Sequence, residues 1–259
     1  MALWSAWVVF LFECRRALRP GHLALAAAMA VFPAAVIALV QLQGARLETR
    51  GDHLWVLLFF VLIPEAVCLL GLLLWASPIL QAEVEAKTWT YLAVRPGGKP
   101  AILVGKYAAA VVRAILTGLA ALTLAMAVFR PAEGALHGWA CFASLVVLSS
   151  LAYGSLYLFL GVLFVRRAMA IAVVYTFALE FLVGWIPAVV NQLSVQYYLR
   201  SLLGQWYNLP GNPGWLRGIV GAAPAWQYAL TLVGVAAALL ALSALIVRRR
   251  ELVANHGDA

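Results

Sequence analysis

Residues 54–76 read LWVLLFFVLIPEAVCLLGLLLWA, an apolar stretch in which Glu65 is the one charged residue. At about 1.5 Å per residue, such a stretch forms a helix long enough to cross the ~30 Å hydrocarbon core of a bilayer. The whole chain is similar in character, because 65% of its 259 residues are hydrophobic and 11% are charged. Soluble domains are closer to ~45–50% apolar. The sequence therefore predicts an all-α, polytopic bundle of transmembrane helices.

The same criterion identifies about six spans in one transmembrane domain, residues 1–259. The predicted spans are 22–41, 54–76, 101–129, 138–165, 168–187 and 226–247. Before the first span, residues 1–20 place Trp4 and Trp7 ahead of Arg15 and Arg16, a pattern that predicts an amphipathic interfacial helix. Residues 188–225 mix polar and apolar side chains with Pro and Gly, which predicts an external loop with a short helix.

The positive charges indicate the orientation of these spans. The chain has a net charge of +8, and its basic residues lie between the apolar runs. One set of connecting segments contains twelve Lys and Arg residues and the opposite set contains five. Because positive loops stay in the cytoplasm, we expect a multi-pass protein with both termini cytoplasmic, in a prokaryotic inner or plasma membrane. The same distribution argues against nucleic acid as a partner.

The sequence contains no motif for a metal site or a catalytic centre. The cysteines Cys14, Cys68 and Cys141 are far apart in the sequence, and none belongs to a close pair. The four histidines form no His-Glu-x-x-His motif, and there is no Gly-x-Ser-x-Gly elbow. We therefore predict no metal ligand and no catalytic residue, although an intramembrane enzyme stays open because distant residues can meet in space.

Three ionisable residues fall within predicted spans, namely Glu65, Arg113 and Glu180. A charge inside the membrane is costly unless it is paired or hydrated. The spans that carry Glu65 and Arg113 are consecutive and antiparallel, so we predict that these two residues form an ion pair. Glu180 then lines a substrate pathway, pairs with a polar group of another helix, or extends its carboxylate to the membrane surface.

The segment 77–100 is long enough for a helix and a turn on the cytoplasmic side. Glu83, Lys87 and Tyr91 are spaced four apart and therefore share one face of a helix. Pro96 and Gly97 then end the helix. These features fit a helix that docks a soluble partner, and they fit a solvated surface helix equally well.

This segment resembles the ABC-2 type permease family, whose members typically carry a Glu-x-Glu-x-Gly-Thr run, a Pro, and a Gly-Lys that opens the third span. The matching residues here are Glu83, Glu85, Thr88, Pro96, Lys99, Gly105 and Lys106. Lys87 stands in place of the usual Gly. The six-span layout and the N-terminal helix fit the same family.

The resemblance implies the membrane-spanning, non-catalytic subunit of an ABC transporter, most directly an exporter. It implies a second permease copy, identical or related, and a separate ATPase subunit that binds ATP and Mg. The residues that would couple to this ATPase are Glu83, Glu85, Lys87, Thr88, Tyr91 and Leu92. The chain itself contains no Gly-x-x-x-x-Gly-Lys-Ser/Thr phosphate loop. The alternatives are a secondary transporter or channel that does not use ATP, and a lipid-modifying enzyme.

Overall fold

The structure, a computed structural model, describes residues 2–44, 53–85, 98–130, 134–182, 192, 194–207 and 223–249. Within these ranges every regular element is helical and none is a strand. The longer elements are α1 (Ala2–Ala17), α2 (Pro20–Gly44), α3 (His53–Phe60), the π-helix π1 (Val61–Cys68), α4 (Leu69–Ala76), α5 (Ile79–Glu85), α6 (Gly98–Phe129), α7 (Ala135–Leu163), α8 (Ala168–Tyr175), the π-helix π2 (Thr176–Leu182), α9 (Val195–Trp206) and α10 (Ala225–Arg249). The predicted all-α class is confirmed.

Five helices of the described chain are long and apolar enough to cross a membrane: Pro20–Leu42, Leu54–Glu85, Gly98–Phe129, Ala135–Leu163 and Ala225–Arg249. They correspond to the first, second, third, fourth and sixth predicted spans. Helices satisfy all their backbone hydrogen bonds internally, which is why apolar runs of this length are helical in lipid.

The predicted fifth span, 168–187, is helical over its described part. It consists of eight α-helical residues in α8 and seven π-helical residues in π2. That length is about 22 Å, which is shorter than the ~30 Å hydrocarbon core. Residues 183–187 lie outside the described part of the chain.

The second and fourth of the five long helices form the centre of the bundle. In their most apolar stretches, 72% and 67% of the residues are buried within the protein, against 22% in both the first and the last helix. Fully buried side chains such as Leu72 and Ile63 contribute to one hydrophobic core with Leu145 and Tyr157 of α7. The outer helices α2 and α10 expose apolar side chains, as expected for surfaces that face lipid.

The central span is irregular at its middle. Pro64 lies within π1, and a proline cannot donate the backbone hydrogen bond of a regular helix. The Pro64 carbonyl accepts a hydrogen bond of 3.0 Å from Ser149 Oγ of α7, so a neighbouring helix satisfies this backbone group. Both π-helices carry an acidic residue, Glu65 in π1 and Glu180 in π2. Single π-helical turns in α-helices occur frequently at functional sites.

Helix α6 is longer than a bilayer core. Its 32 residues span about 48 Å, whereas the core needs only about 20 residues. The beginning of α6 packs against α1, with Gly105 beside Ala6 and Val9, and also against α7, where Tyr107 donates a hydrogen bond to the Leu151 carbonyl oxygen. The predicted third span, 101–129, lies within α6, and Arg113 lies near the middle of this helix.

Gly105 makes the close contact between α1 and α6 possible. A Cβ atom at this position would lie 2.6 Å from the Ala6 carbonyl oxygen and 2.9 Å from Val9 Cβ. We expect Gly105→Ala to lower the free energy of unfolding by about 1–3 kcal/mol, because the backbone of α1 must shift. Gly234→Ala on α10 is the matched control, since nothing lies within 4 Å of its Cβ position. Unfolding in mixed micelles measures both variants, and equal stabilities would contradict this account of the contact.

Candidate functional site

One end of the bundle is held together by a buried lysine with two acidic partners. Lys106 of α6 lies 3.0 Å, Nζ to Oε1, from Glu13 of α1 and forms a second, shorter ion pair with Glu83 of α5. The Lys106 side chain is 9% exposed. Removing one partner from a buried ion pair is strongly destabilising, so the three elements are coupled through this ammonium group. We call Glu13, Glu83 and Lys106 the lysine junction.

The two acidic residues of α5 have different environments. Glu83 points to Lys106, whereas Glu85 is exposed and accepts a hydrogen bond of 2.7 Å from Gln81 Nε2. Glu83 therefore contributes to holding α5 in place, and Glu85 is available to a partner at the surface. The other predicted coupling residues lie outside the described part of the chain, namely Lys87, Thr88, Tyr91 and Leu92.

The predicted ion pair between Glu65 and Arg113 is wrong. The Arg113 guanidinium donates to the His22 carbonyl oxygen at 2.9 Å and stacks over Trp75, with Cζ 4.1 Å from the ring centroid. Trp75 follows Glu65 by about ten residues, which is roughly 15 Å along a helix. The two spans are neighbours as predicted, but their register places Trp75 opposite Arg113 rather than Glu65.

Glu65 pairs instead with α9. Gln196 Nε2 donates to Glu65 Oε1, and Arg200 Nε lies 3.7 Å from the same oxygen. Glu65, Gln196 and Arg200 are all buried. Gln196 and Arg200 are four residues apart and therefore present their polar groups on the same face of α9.

Glu180 accepts three hydrogen bonds at the beginning of α9. Its carboxylate oxygens lie 3.2 Å from the backbone nitrogens of Val195 and Gln196 and 3.1 Å from Tyr153 Oη. The first N–H groups of a helix lack internal partners and carry partial positive charge, so a carboxylate is favourable there. Ser194 caps the same end by accepting a bond from Tyr197 N.

These two carboxylates connect α9 to two other helical segments. Glu65 belongs to the central second span and Glu180 to π2, and both contact the first half of α9. We call Glu65, Glu180, Gln196 and Arg200 the α9 cluster. Glu180 is 1% exposed, which favours the alternative that it pairs with polar groups of another helix. Its role in a substrate pathway stays a prediction.

Sequence reasoning missed Gln196 and Arg200. The available signal was their spacing of four within a segment whose other side chains are largely apolar. The prediction of an external loop over residues 188–225 treats Arg200 as one of the loop charges. The structure instead buries Leu199 and Leu202 of the same helix in the core, which brings Arg200 into the bundle.

Features of an enzyme are sparse in the described residues. In this part of the chain no group of three or more His, Cys, Asp or Glu residues could hold a metal ion. His137 Nε2 lies 3.6 Å from Cys141 Sγ, but it also contacts the Trp206 carbonyl oxygen at 3.2 Å. Burial, and then the neighbouring Glu13 carboxylate, raise the pKa of the Cys14 thiol, which is the opposite of what activates a nucleophile.

Comparison with known proteins adds no family assignment. No family model matches the chain, and no curated protein is significantly similar to it. The ABC-2 resemblance therefore rests on the motif residues between Glu83 and Lys106 and on the layout of the spans.

Proposed function

We propose that this chain is the permease subunit of an ABC transporter and exports a substrate with ATP hydrolysed on a separate subunit. The observation that carries the proposal is the lysine junction. It joins α5, the first element of the segment 77–100, both to α1 and to the long helix α6. A force applied to that segment by a partner is therefore transmitted directly to an interfacial helix and to a span.

Two features support the match to this transporter class. Glu83, Gly105 and Lys106 belong to the motif that resembles the family, and each has a definite structural role, either in the lysine junction or in the contact between α1 and α6. Glu85 offers an exposed carboxylate beside that junction. Domain closure in an ATPase moves membrane helices only if its docking segment is tightly connected to them.

The proposed topology has six spans and both termini in the cytoplasm of a cell membrane. Five spans come from the long helices, and the sixth is 168–187, of which Ala168–Leu182 is helical. In this arrangement α1 and α5 lie on the cytoplasmic side and α9 on the external side. The partners are the lipid bilayer, an ABC ATPase carrying ATP and Mg, and a second permease copy. Nucleic acid is not a partner.

The α9 cluster has a natural role in this function. Because Glu65 and Glu180 hold α9 from two different spans, movement of those spans moves α9 with them. A helix connected in this way is suited to open and close the external end of a pathway between two copies. The substrate is not defined by the residues described.

The second candidate function is a secondary transporter or channel that is independent of ATP. The α9 cluster favours it, because two buried carboxylates beside one arginine are typical of ion-coupled transporters. This candidate gives no role to the exposed Glu85 or to the motif residues around it.

Photo-crosslinking from Glu85 tests the proposal. A photo-reactive residue at position 85 is expected to form an adduct with a chain that contains the phosphate-loop motif of an ABC ATPase. The control position is Leu136, which is 81% exposed and lies at the opposite end of α7 from the contact with α5. The proposed docking would be contradicted if neither position formed an adduct with an ATPase, or if only position 136 did.

A further inference from the structure

A cavity of about 180 Å³ lies where α1, the first turn of α2, the junction of α4 with α5, and α6 meet. Its wall contains the basic side chains Arg16, Lys106 and Arg113 and one acidic side chain, Glu13. A water molecule occupies about 30 Å³, so the cavity has room for a phosphate group and several waters. With Glu83, which pairs with Lys106, three cationic groups stand against two carboxylates, and this net positive charge favours an anionic occupant over a cation.

Arg113 is the main determinant of this site. Its guanidinium is oriented by the His22 carbonyl oxygen and the Trp75 ring, and neither contact neutralises its charge. Among the residues that the structure describes, the carboxylates within ion-pair distance of a basic group belong to other pairs. An arginine at membrane depth normally has such a partner.

The cavity lies beside apolar surfaces that suit a lipid. Helix α1 exposes Trp4, Trp7 and Phe12 at 73%, 53% and 65%, as expected for a helix in the bilayer interface. On α6, Val112 and Leu116 are exposed beside Arg113. An anion bound at Arg113 would therefore have a polar wall on one side and apolar surface on the other.

We propose that this cavity binds a phosphate group, with Arg113 donating hydrogen bonds to its oxygens and Arg16 closing the opening. The guanidinium is suited to this task because its planar N–H groups match phosphate oxygens in pairs. Lys106 is neutralised by its ion pairs with Glu13 and Glu83, so the positive charge offered to a phosphate comes from Arg113 and Arg16. The site does not depend on the proposed transport function, since lipid or free phosphate can bind whether or not an ATPase docks.

Native mass spectrometry of the full-length protein, delipidated in detergent, tests this site. Phosphatidylglycerol and phosphatidylcholine serve as the lipid probes, and inorganic phosphate serves as the soluble probe. We expect Arg113→Gln to weaken phosphatidylglycerol binding roughly tenfold or more, as for loss of a charge-assisted hydrogen bond. Arg113→Lys should have a smaller effect because it retains the charge. Arg167→Gln, an exposed arginine away from the cavity, is the matched control.

The outcomes separate the two sources of phosphate. Preference for phosphatidylglycerol that depends on Arg113 and persists in millimolar inorganic phosphate assigns the site to a lipid headgroup. Displacement of the lipid by inorganic phosphate, again depending on Arg113, assigns it to free phosphate. If Arg113→Gln does not fold, Arg16→Gln and Arg113→Lys take its place and should each weaken binding several-fold. The proposal would be overturned if every folded variant of Arg113 and Arg16 bound phosphatidylglycerol with the same affinity as Arg167→Gln.

Discussion

Replacing Arg200 with methionine is expected to lower the free energy of unfolding by about 3–5 kcal/mol, the usual consequence of removing one partner from a buried ion pair. The substitution keeps a long side chain but leaves Glu65 buried beside Gln196 without its cation. The nearby Glu180 adds a second buried carboxylate. Unfolding in mixed micelles, followed by circular dichroism, measures the change.

Two further variants make this result specific. Arg167→Met removes an exposed arginine and is expected to change the stability by less than about 0.5 kcal/mol. Adding Glu65→Gln to Arg200→Met removes the orphaned charge and should recover part of the loss, as in a double-mutant cycle. If Arg200→Met is as stable as Arg167→Met, the α9 cluster does not hold α9 in the bundle.

Lys106→Met is expected to abolish coupling between a docked ATPase and the membrane helices. It leaves Glu13 and Glu83 facing each other without their shared cation, so α5 and α1 lose the ion pairs that join them to α6. A fluorophore on Phe12→Cys of α1, which is 65% exposed, reports the movement once the three native cysteines are replaced. The change in fluorescence on adding ATP should fall at least about tenfold, because a tenfold loss corresponds to about 1.4 kcal/mol of coupling free energy.

The controls for this prediction separate coupling from binding. Lys106→Arg keeps the charge and should retain most of the signal, and Arg248→Met, at an exposed position of α10, should leave it unchanged. The amount of ATPase that co-purifies should stay close to that of the wild type, because Lys106 is buried in the protein and is not at its surface. A full ATP response in folded Lys106→Met would show that the lysine junction does not transmit the movement.

The spans were predictable because hydrophobicity acts locally. A run such as 54–76 has to be helical in lipid whatever surrounds it, and the structure continues that helical region to Glu85. The ends were less predictable, since α6 extends beyond the core length along α1. The beginning of α6 packs against a helix about a hundred residues earlier in the chain through Gly105, and no local pattern reveals such a contact.

The partners of the intramembrane charges were not predictable from the order of the spans. Consecutive spans are neighbours, but the partner of Glu65 or Arg113 depends on the register between the helices. Arg113 lies opposite Trp75, which is ten residues beyond Glu65 in the sequence. The Gln196 partner of Glu65 is 131 residues away in sequence. The π-helix that carries Glu180 contains no proline, so its sequence gives no local signal for the irregular geometry.

The central claim is that this chain works together with a separate ATPase, and purification from native membranes with an affinity tag tests it most directly. We predict that an ABC ATPase chain co-purifies in a fixed ratio, that the complex hydrolyses ATP with vanadate sensitivity, and that substituting Glu85, Lys87 and Tyr91 together removes the ATPase. A folded, membrane-extracted protein that carries no ATPase and shows no ATP hydrolysis under conditions that preserve its oligomeric state would contradict the account.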